Sequence, residues 1–452
     1  MKIVIIGDGK VGHKLTAQLS EEDYDIVLID QNEDKLQNAV NQMDIICIQG
    51  NGADVEIQKQ ADVPNADMVI ACTSSDELNL LSCLFAKRLG AGHTIARVRN
   101  PVYYRQIDLL KEDLHLSMAI NPELTAADEI ARVLLFPEAS KVETFMKGRV
   151  ELIEYVIRNN NFLDGMSLAE LYQNYQIKML VCAVKRGSEV FIPDGNFVLQ
   201  KGDKLHIAAS RDNLRIFFKK MGQKLSRVKK VLICGGGHVC YYLANRLIQA
   251  KMQVKIIEIN RKRCEELCEL LPEATIINGD ASDQSLLLEE GIHDADALIS
   301  LTGMDEENII ISLFAGAQGV NKIVAKVNED NRARMVEGMG IDSIVSAKTA
   351  TADTIIRYIR ARKNSFSSVN VETMYRLLGG QVEALEFIIK KQSEFVGVPL
   401  KDLKLKANNL IACIGRRRKI IIPNGDTHLE VGDSVIIVTK CRSVNNFKDI
   451  LK

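Results

Sequence analysis

The chain has 452 residues, of which 26% are charged and 46% hydrophobic, and its formal net charge is −1. That length suits about three or four ordinary domains with real cores. The balanced charge excludes a global field for nucleic acid or an anionic membrane, and no apolar run approaches the roughly 18 residues that cross a bilayer.

Met1-Lys2 leads straight into a strand rather than a signal peptide, so a cytosolic chain is expected. Lys2 to Ile6 predicts a buried parallel strand, and Gly7-Asp8-Gly9-Lys10-Val11-Gly12 follows with the spacing G-x-G-x-x-G. A helix then carries Val11, Leu15 and Leu19 on one face, and a second apolar strand, Ile26 to Ile29, ends in Asp30. Each part has a job in a dinucleotide site. Gly7 allows a tight turn, Gly9 lets backbone approach a pyrophosphate, and Gly12 lets helix and sheet pack closely. The helix N-terminus offers free N–H groups to phosphates, and Asp30 can accept from a ribose diol.

A helix with Leu36 and Val40 comes next, then a strand from Ile45 to Ile48 that runs into Gly50-Asn51-Gly52-Ala53-Asp54. The strand Ala66 to Ala71 leads into the polar loop Thr73-Ser74-Ser75-Asp76-Glu77-Leu78-Asn79. This loop lies at a strand's C-terminal end, where open α/β sheets bind ligands, although Asp76 and Glu77 also suit the first turn of a helix. Arg97 sits in the apolar strand Thr94 to Arg99, where a cation needs either a bound phosphate or a salt bridge to Asp76 or Glu77. A strand at Met118 to Ile120 and a helix at Thr125 to Leu135 complete an alternating pattern. Composition then turns to short β segments: Val150 to Ile157, the turn Phe191-Ile192-Pro193-Asp194-Gly195, and Lys201 to Ile207.

The pattern then repeats. Gly235, Gly237 and Glu258 stand 228 residues after Gly7, Gly9 and Asp30, with His238, Val239 and Cys240 following the second loop. Gly279-Asp280-Ala281, the loop Thr302-Gly303-Met304-Asp305-Glu306-Glu307-Asn308, and Lys326 in its apolar strand match the first half in order. Strand Ser343 to Val345, helix Thr349 to Ala361, strand Val382 to Ile389, Ile421-Ile422-Pro423-Asn424-Gly425 and Val431 to Ile437 complete the copy. The chain is a tandem duplication. The expected fold class is α/β, with two tandem Rossmann-like, doubly wound parallel-sheet domains (1–137 and 228–364), each followed by a small α+β domain (138–224 and 368–452). Gln223 to Lys230 and Arg360 to Ser368 read as linkers, and Arg416-Arg417-Arg418-Lys419 as a solvated hairpin turn.

None of the ten cysteines forms a C-x-x-C pair, and several sit in apolar strand-like runs, so they read as reduced structural thiols. No catalytic residue and no metal-ligand set is assigned. Two rival readings remain. An NAD-dependent dehydrogenase would need a base or metal near the nicotinamide, yet the seven histidines are scattered. A redox sensor could use Cys240, whose place near a helix N-terminus would favour a thiolate.

The ordered motifs G-D-G-K-V-G with Asp30, G-G-G-H-V with Glu258, the two T-x-x-D-E-x-N loops, Ala96-Arg97 and the paired P-x-G turns resemble the bacterial Trk potassium-uptake regulators, the TrkA family. The resemblance covers essentially the whole chain. It implies two regulator-of-potassium-conductance (RCK) modules, each a nucleotide-binding part followed by a ligand-sensing part. It further implies a regulator that binds NAD(H) and, in relatives, ATP or ADP. Such a regulator assembles as a homo-oligomeric, tetrameric ring at the inner face of the cell membrane and gates a separate potassium-translocating subunit of the TrkH type. By position, Gly7, Asp8, Gly9, Lys10, Val11, Gly12, Asp30, Asn51, Thr73 and Arg97 would form the first site. Gly235, Gly237, His238, Val239, Glu258, Asp280, Thr302 and Lys326 would form the second. An acid at the ribose position favours NAD(H) or adenosine nucleotides over NADP. Two departures stand out: Cys240 replaces the third glycine, and Lys326 offers a point charge where the first half has a guanidinium fork.

Overall fold

The computed structural model describes residues 1–452 except 23, 147, 158–161, 222–227, 337, 364–369, 418, 441–443 and 445. Its first six strands are β1 (Lys2–Ile6), β2 (Asp25–Asp30), β3 (Ile46–Gln49), β4 (Met68–Ala71), β5 (His93–Arg97) and β6 (Met118–Ile120). They form one parallel sheet in the order 3-2-1-4-5-6, with the crossover beside β1. The strands β7 (Lys141–Phe145), β8 (Val150–Val156), β9 (Met179–Arg186), β10 (Glu189–Phe191) and β11 (Lys204–Ala209) form an antiparallel sheet.

The second half repeats both sheets. β12 (Lys230–Cys234), β13 (Gln253–Glu258), β14 (Thr275–Asn278), β15 (Ala297–Ser300), β16 (Lys322–Lys326) and β17 (Ser343–Val345) take the order 14-13-12-15-16-17. β18 (Asn370–Leu377), β19 (Val382–Ile388), β20 (Asn409–Arg416), β21 (Lys419–Ile421) and β22 (Ser434–Thr439) form the second antiparallel sheet. The expected class, two Rossmann-like sheets alternating with two small α+β domains, is the class observed.

Burial follows sheet position. The central strands β4 and β15 are buried at every residue, whereas the edge strands β3 and β14 are half-exposed. β3 begins at Ile46, itself 63% exposed, rather than at Ile45, because its pairing with β2 starts at Val27 and Ile46. In the helix Glu33–Gln42, Leu36 is buried but Val40 faces solvent. The fifth strand ends at Arg97 rather than Arg99, because the Asp76 carboxylate takes the N–H groups of Arg99 and Asn100 (2.8 and 2.7 Å) and turns the chain. The seventh helix starts earlier than its apolar pattern suggests, at Pro122. Asn121 caps it by accepting from the Leu124 N–H, and proline suits the first helical position.

The chain divides into two units, residues 1–131 with 230–356 and residues 132–229 with 357–452. The first unit holds both parallel sheets. Its halves meet through Lys14 and Asp330 (2.5 Å), Arg246 and Asp128 (2.9 Å), and the Asn121 amide donating to the Tyr242 hydroxyl (3.0 Å).

The second unit holds both antiparallel sheets, which share one core. Phe145, Leu152, Cys182 and Ala208 of one sheet pack with Ala384, Ala412, Ile436 and Val438 of the other. Phe145 and Tyr375 meet edge to face at 4.8 Å, and the Tyr375 hydroxyl donates to the Thr144 carbonyl. In each sheet a buried aspartate anchors an arginine through paired contacts: Arg186 on Asp203 (2.8 and 2.7 Å) and Arg416 on Asp433 (2.9 and 2.8 Å). Arg416 therefore lies back on the sheet, not in a wholly solvated run. The turn itself is a hairpin: Arg416 pairs with Lys419, and Arg417 takes a left-handed conformation. Most of the expected linker Gln223 to Lys230 lies outside the described residues, as does Asn364 to Ser368 of the second. Arg360 to Lys363 of that second linker belongs to the helix Ala347–Lys363 instead, with Arg360 paired to Glu383 at 2.8 Å.

Candidate functional site

At the C-terminal edge of each parallel sheet a cleft opens between the glycine loop and the loop after the fourth strand. The first, about 260 Å³, is lined by Gly7, Gly9, Asp30, Thr73 and Arg97. The second, about 320 Å³, is lined by Gly235, Gly237, Glu258, Asp280, Thr302 and Lys326. The replacement of a glycine by Cys240 has not closed the second cleft.

The three glycines of the first loop do three different things. Gly7 has φ +102°, a conformation that side chains rarely adopt, and a Cβ there would lie 2.9 Å from the Thr73 nitrogen. Gly12 is needed for packing, since a Cβ would lie 1.9 Å from the Gly7 carbonyl oxygen. Gly9 has an ordinary φ of −81°, and its Cβ would meet nothing closer than the Cys72 carbonyl oxygen at 3.9 Å. Nothing inside the protein requires glycine there. Gly235 repeats Gly7 with φ +103°, and Gly237, with φ −67°, has open space where its Cβ would stand.

Both helices that follow, Lys10–Ser20 and His238–Gln249, lack a side-chain cap and an acid in the first turn. Their N-terminal N–H groups and positive dipole ends therefore face the clefts without an internal anion. A phosphate-bearing ligand fits that arrangement.

The acids at the ends of β2 and β13 brace the glycine loops. Asp30 accepts from the N–H groups of Asp8 (2.6 Å) and Asn32 (2.9 Å), and Glu258 accepts from those of Gly236 (2.6 Å) and Asn260 (2.8 Å). Each carboxylate oxygen has a second lone pair, so the acids can hold the loop and still accept from a ligand.

The T-x-x-D-E-x-N loops are joints between strand ends. The Asn79 carbonyl oxygen accepts from the N–H and hydroxyl of Thr73 (2.8 and 2.7 Å), while its amide donates to the Arg97 carbonyl (2.9 Å). Asn308 makes the same bonds to the Thr302 N–H and the Lys326 carbonyl (2.7 and 2.9 Å). Asp305 repeats the work of Asp76, accepting from the N–H groups of Asn328 and Glu329. These loops thus fix the threonine and the cation at each cleft.

Arg97 is not salt-bridged to Asp76 or Glu77, which overturns that alternative. The Asp76 Oδ2 accepts from backbone amides while its Oδ1 faces the Arg99 Nε at 3.9 Å, and Glu77 accepts from the hydroxyls of Ser75 and Tyr103, which hold its pKa below the usual range. The Arg97 Nη1 reaches only the Cys72 carbonyl at 3.5 Å, and its buried Nε has no partner among the described residues. The Lys326 Nζ reaches the Leu301 carbonyl at 3.3 Å. Burial lowers the pKa of both groups. Among the described residues neither cation has an ion-pair partner, although Asp305 and Asp76 lie near enough to act on them.

The other sequence candidates lie outside the cleft linings. Val11 and Val239 are buried in the cores, and Gly12 packs against Gly7. Asp8 faces His13 at 3.1 Å, with burial pushing its carboxyl up. Lys10 and His238 are exposed at their helix starts, and Asn51 turns its side chain onto the Ala53 N–H. Sequence reasoning missed Lys35, which lines the first cleft. The duplication carried the signal: a base stands five residues after the acid in both halves, Lys35 and Arg263. Arg263 donates to the Gly236 carbonyl at 2.8 Å.

The thiols are inert where they are buried. Burial raises the Cys72 and Cys234 pKa values to about 12 and pushes the fully buried Cys240 higher still, which removes the basis for a reactive thiol at that helix start. Among the described residues no group of three or more histidine, cysteine, aspartate or glutamate side chains could hold a metal ion. No described helix is long and apolar enough to cross a membrane.

The TrkA-N domain model matches residues 3–122 and 231–347, and the TrkA-C domain model matches residues 152–222 and 384–452. The chain is 31% identical, over all of both chains, to the Trk system potassium uptake protein TrkA homolog of Archaeoglobus fulgidus. It is 31% identical to the Trk system potassium uptake protein TrkA of Halomonas elongata, over 97% of this chain and 95% of that one. Among solved structures, the GsuK channel bound to NAD superimposes with a TM-score of 0.64 at 18% identity, over 97% of this chain and 76% of that one. GsuK bound to ADP does so with a TM-score of 0.50 at 16% identity, over 80% and 69%. With both domain models matched twice in order and full-length relatives at this identity, the chain belongs to the TrkA family of Trk-system potassium uptake proteins.

Proposed function

We propose that this chain is the nucleotide-binding regulatory subunit of a Trk potassium uptake system, with NAD(H) or an adenosine nucleotide held in the two sheet-edge clefts. The observation that carries the reading is the pair Gly9 and Gly237, glycines that neither backbone conformation nor packing requires, each at an uncapped helix N-terminus. The diphosphate would lie against those N–H groups, and the ribose diol against Asp30 or Glu258. Arg97 and Lys326 would supply positive charge to the phosphates, with Thr73 and Thr302 beside them. NAD in GsuK and the names of the full-length relatives support the same reading.

In this reading the ligand does no chemistry. Its bound form favours one arrangement of the sheet domains, and the shift reaches a membrane potassium-translocating subunit of the TrkH type through a tetrameric ring of chains. A ligand can move such an equilibrium only by its differential affinity for the two arrangements. The chain would lie at the inner face of the membrane through that partner. We assign the nucleotide-binding parts to 1–137 and 228–364 and the small domains to 138–224 and 368–452.

The test is calorimetric titration of the full chain with NADH, NAD, ATP and ADP, repeated on Asp30→Ala and Glu258→Ala, with hydride turnover assayed on a broad substrate panel. Saturable binding without turnover, weakened by each substitution, is the expected result. No binding, or steady oxidation of a small substrate, would refute the regulatory reading in favour of a dehydrogenase.

A further inference from the structure

The seam between the two antiparallel sheets is built unequally at its two ends. Glu154 on β8 and Glu386 on β19 hold matching places, with Glu154 opposite His206 on β11 and Glu386 opposite Ile436 on β22. Both acids lie on strand faces that supply the shared core, beside Leu152 in one sheet and Ala384 in the other. Glu386 is buried and engaged. It accepts from the Ser434 hydroxyl (2.6 Å) and, across the seam, from the Met146 N–H (3.1 Å). Leu378 repeats the left-handed backbone of Met146 (φ 53° and 52°), yet Glu154 does not reach across to it. Its Oε2 faces the His206 Nε2 within its own sheet, at 3.5 Å.

Ile436 cannot titrate, and His206 can. His206 is 2% exposed and shares its strand face with Ala208 of the seam core. Its Nδ1 is buried with no hydrogen-bond partner among the described residues. A neutral imidazole carries one N–H and one acceptor nitrogen, whereas an imidazolium carries two N–H groups and a charge, so protonation here adds a buried demand that the site does not meet. The register sets Lys141, Glu154, His206 and Ala183 in one row across four strands. The charged groups acting on the ring are Glu154 on β8, Lys141 and Glu143 on β7, and Lys204 on its own strand. Lys141 also holds Glu143 at 3.2 Å. Across the seam β18 presents Tyr375, on which Glu143 acts, with Arg357 stacked over its ring at 4.7 Å.

We propose that His206 is an acid-sensitive latch in the seam between the two small domains: the neutral ring lets the sheets pack, and the protonated ring loosens that end while Glu386 holds the other. Burial lowers the folded imidazole below its ordinary value of 6.5, with Glu154 opposing the shift. Between the two values the unfolded chain binds more protons than the folded one. The stabilisation is therefore complete above pH 6.5 and is lost as pH falls through the lowered value.

The experiment compares the full wild-type chain with His206→Ile, the residue that the second sheet carries at this place. Amide hydrogen exchange is followed at pH 7.5 and 5.5 in peptides spanning β8, β11 and β18, with the parallel sheets as internal control. Protection of these peptides, taken relative to the variant at the same pH, should fall about tenfold on acidification, the change that a displacement of one pKa unit produces. The parallel sheets should show no such change. Exchange of the imidazole C2 hydrogen, read residue by residue among the seven histidines, should give His206 a midpoint below 6.5. A midpoint at or above 6.5, a protection ratio independent of pH, or a seam that tightens in acid overturns the proposal. A melting curve checks the fold of the variant, and His206→Gln replaces it if isoleucine does not fold.

Discussion

The two halves share a strand order and a cleft, but they join loop to helix differently. In the first half Gly12 lies so close to the Gly7 carbonyl that no side chain fits, whereas in the second the fully buried Cys240 takes that place. The turn glycines Gly7 and Gly235 keep the same left-handed φ, and Gly9 and Gly237 keep the same open flank. Of the three roles in a G-x-G-x-x-G loop, packing is the one the second half has solved another way. Conformational need and ligand approach are retained.

The largest effect should come from exchanging the joint. Gly12→Cys puts a Cβ against backbone, which cannot rotate away, and should destabilise the full chain by about 3 kcal/mol in urea unfolding. Cys240→Gly removes a buried thiol and adds a flexible residue inside a helix, at a cost of about 2 kcal/mol. A Gly12→Cys chain as stable as wild type would mean that the two joints are interchangeable.

Next in size is a split between stability and binding. Gly9→Ala and Gly237→Ala should leave stability within about 0.5 kcal/mol, since the added methyl meets only ordinary contacts or open space. If that space belongs to a nucleotide, affinity at the altered cleft should fall about thirtyfold, equivalent to roughly 2 kcal/mol. Lost stability with retained binding would reassign these glycines to the fold.

Much of this architecture was legible because the chain states it twice. Apolar strands ending at Asp30 and Glu258, matched basic residues at 97 and 326, and motifs repeated in the same order define the sheets and clefts in the sequence itself. Less visible was the work of residues that bond across strand ends. Asn79 and Asp76 read as ligands or helix-start residues, because nothing in sequence shows that their partners are the backbone of residues 97–100. The apolar pattern of β5 runs two residues past its observed end at Arg97 for the same reason. Arg416 shows the limit of reading charge runs, because a buried Asp433 converts one member into a core ion pair.

A smaller effect separates the two cations by pH. Burial lowers the Lys326 pKa below its usual value near 10.5, so the ammonium loses its proton as pH rises through that lowered value, before a free lysine would. Because the unfolded chain then binds more protons than the folded one, stability rises with pH across this window while the charge offered to a phosphate disappears. The Arg97 guanidinium keeps its proton over the same range. ADP affinity at the second cleft should drop by about fivefold, roughly 1 kcal/mol, between pH 7.5 and 10, with the first cleft held nearly constant. Lys326→Arg should remove the difference, and equal pH dependence in both clefts would show that neither cation contacts phosphate.

The smallest expected effect tests the helices after β4 and β15. Ser75 caps Asp76–Leu89 by accepting from the Leu78 N–H, whereas Met304, at the same place before Asp305–Ala317, provides no side-chain cap. The second helix instead places three acids in its first turn, Asp305, Glu306 and Glu307, where the first has two. Charges near a helix start stabilise it through the dipole, but salt screens them, while a capping hydroxyl satisfies a specific N–H. Met304 already has extended backbone and is 61% exposed, so Met304→Ser needs no repacking. It should stabilise the chain by about 0.7 kcal/mol. That gain should persist at high salt, where the contribution of the acids fades. A gain that vanished with salt would mean that serine acts through the charges around it, and a gain of zero that the three acids already satisfy the helix start.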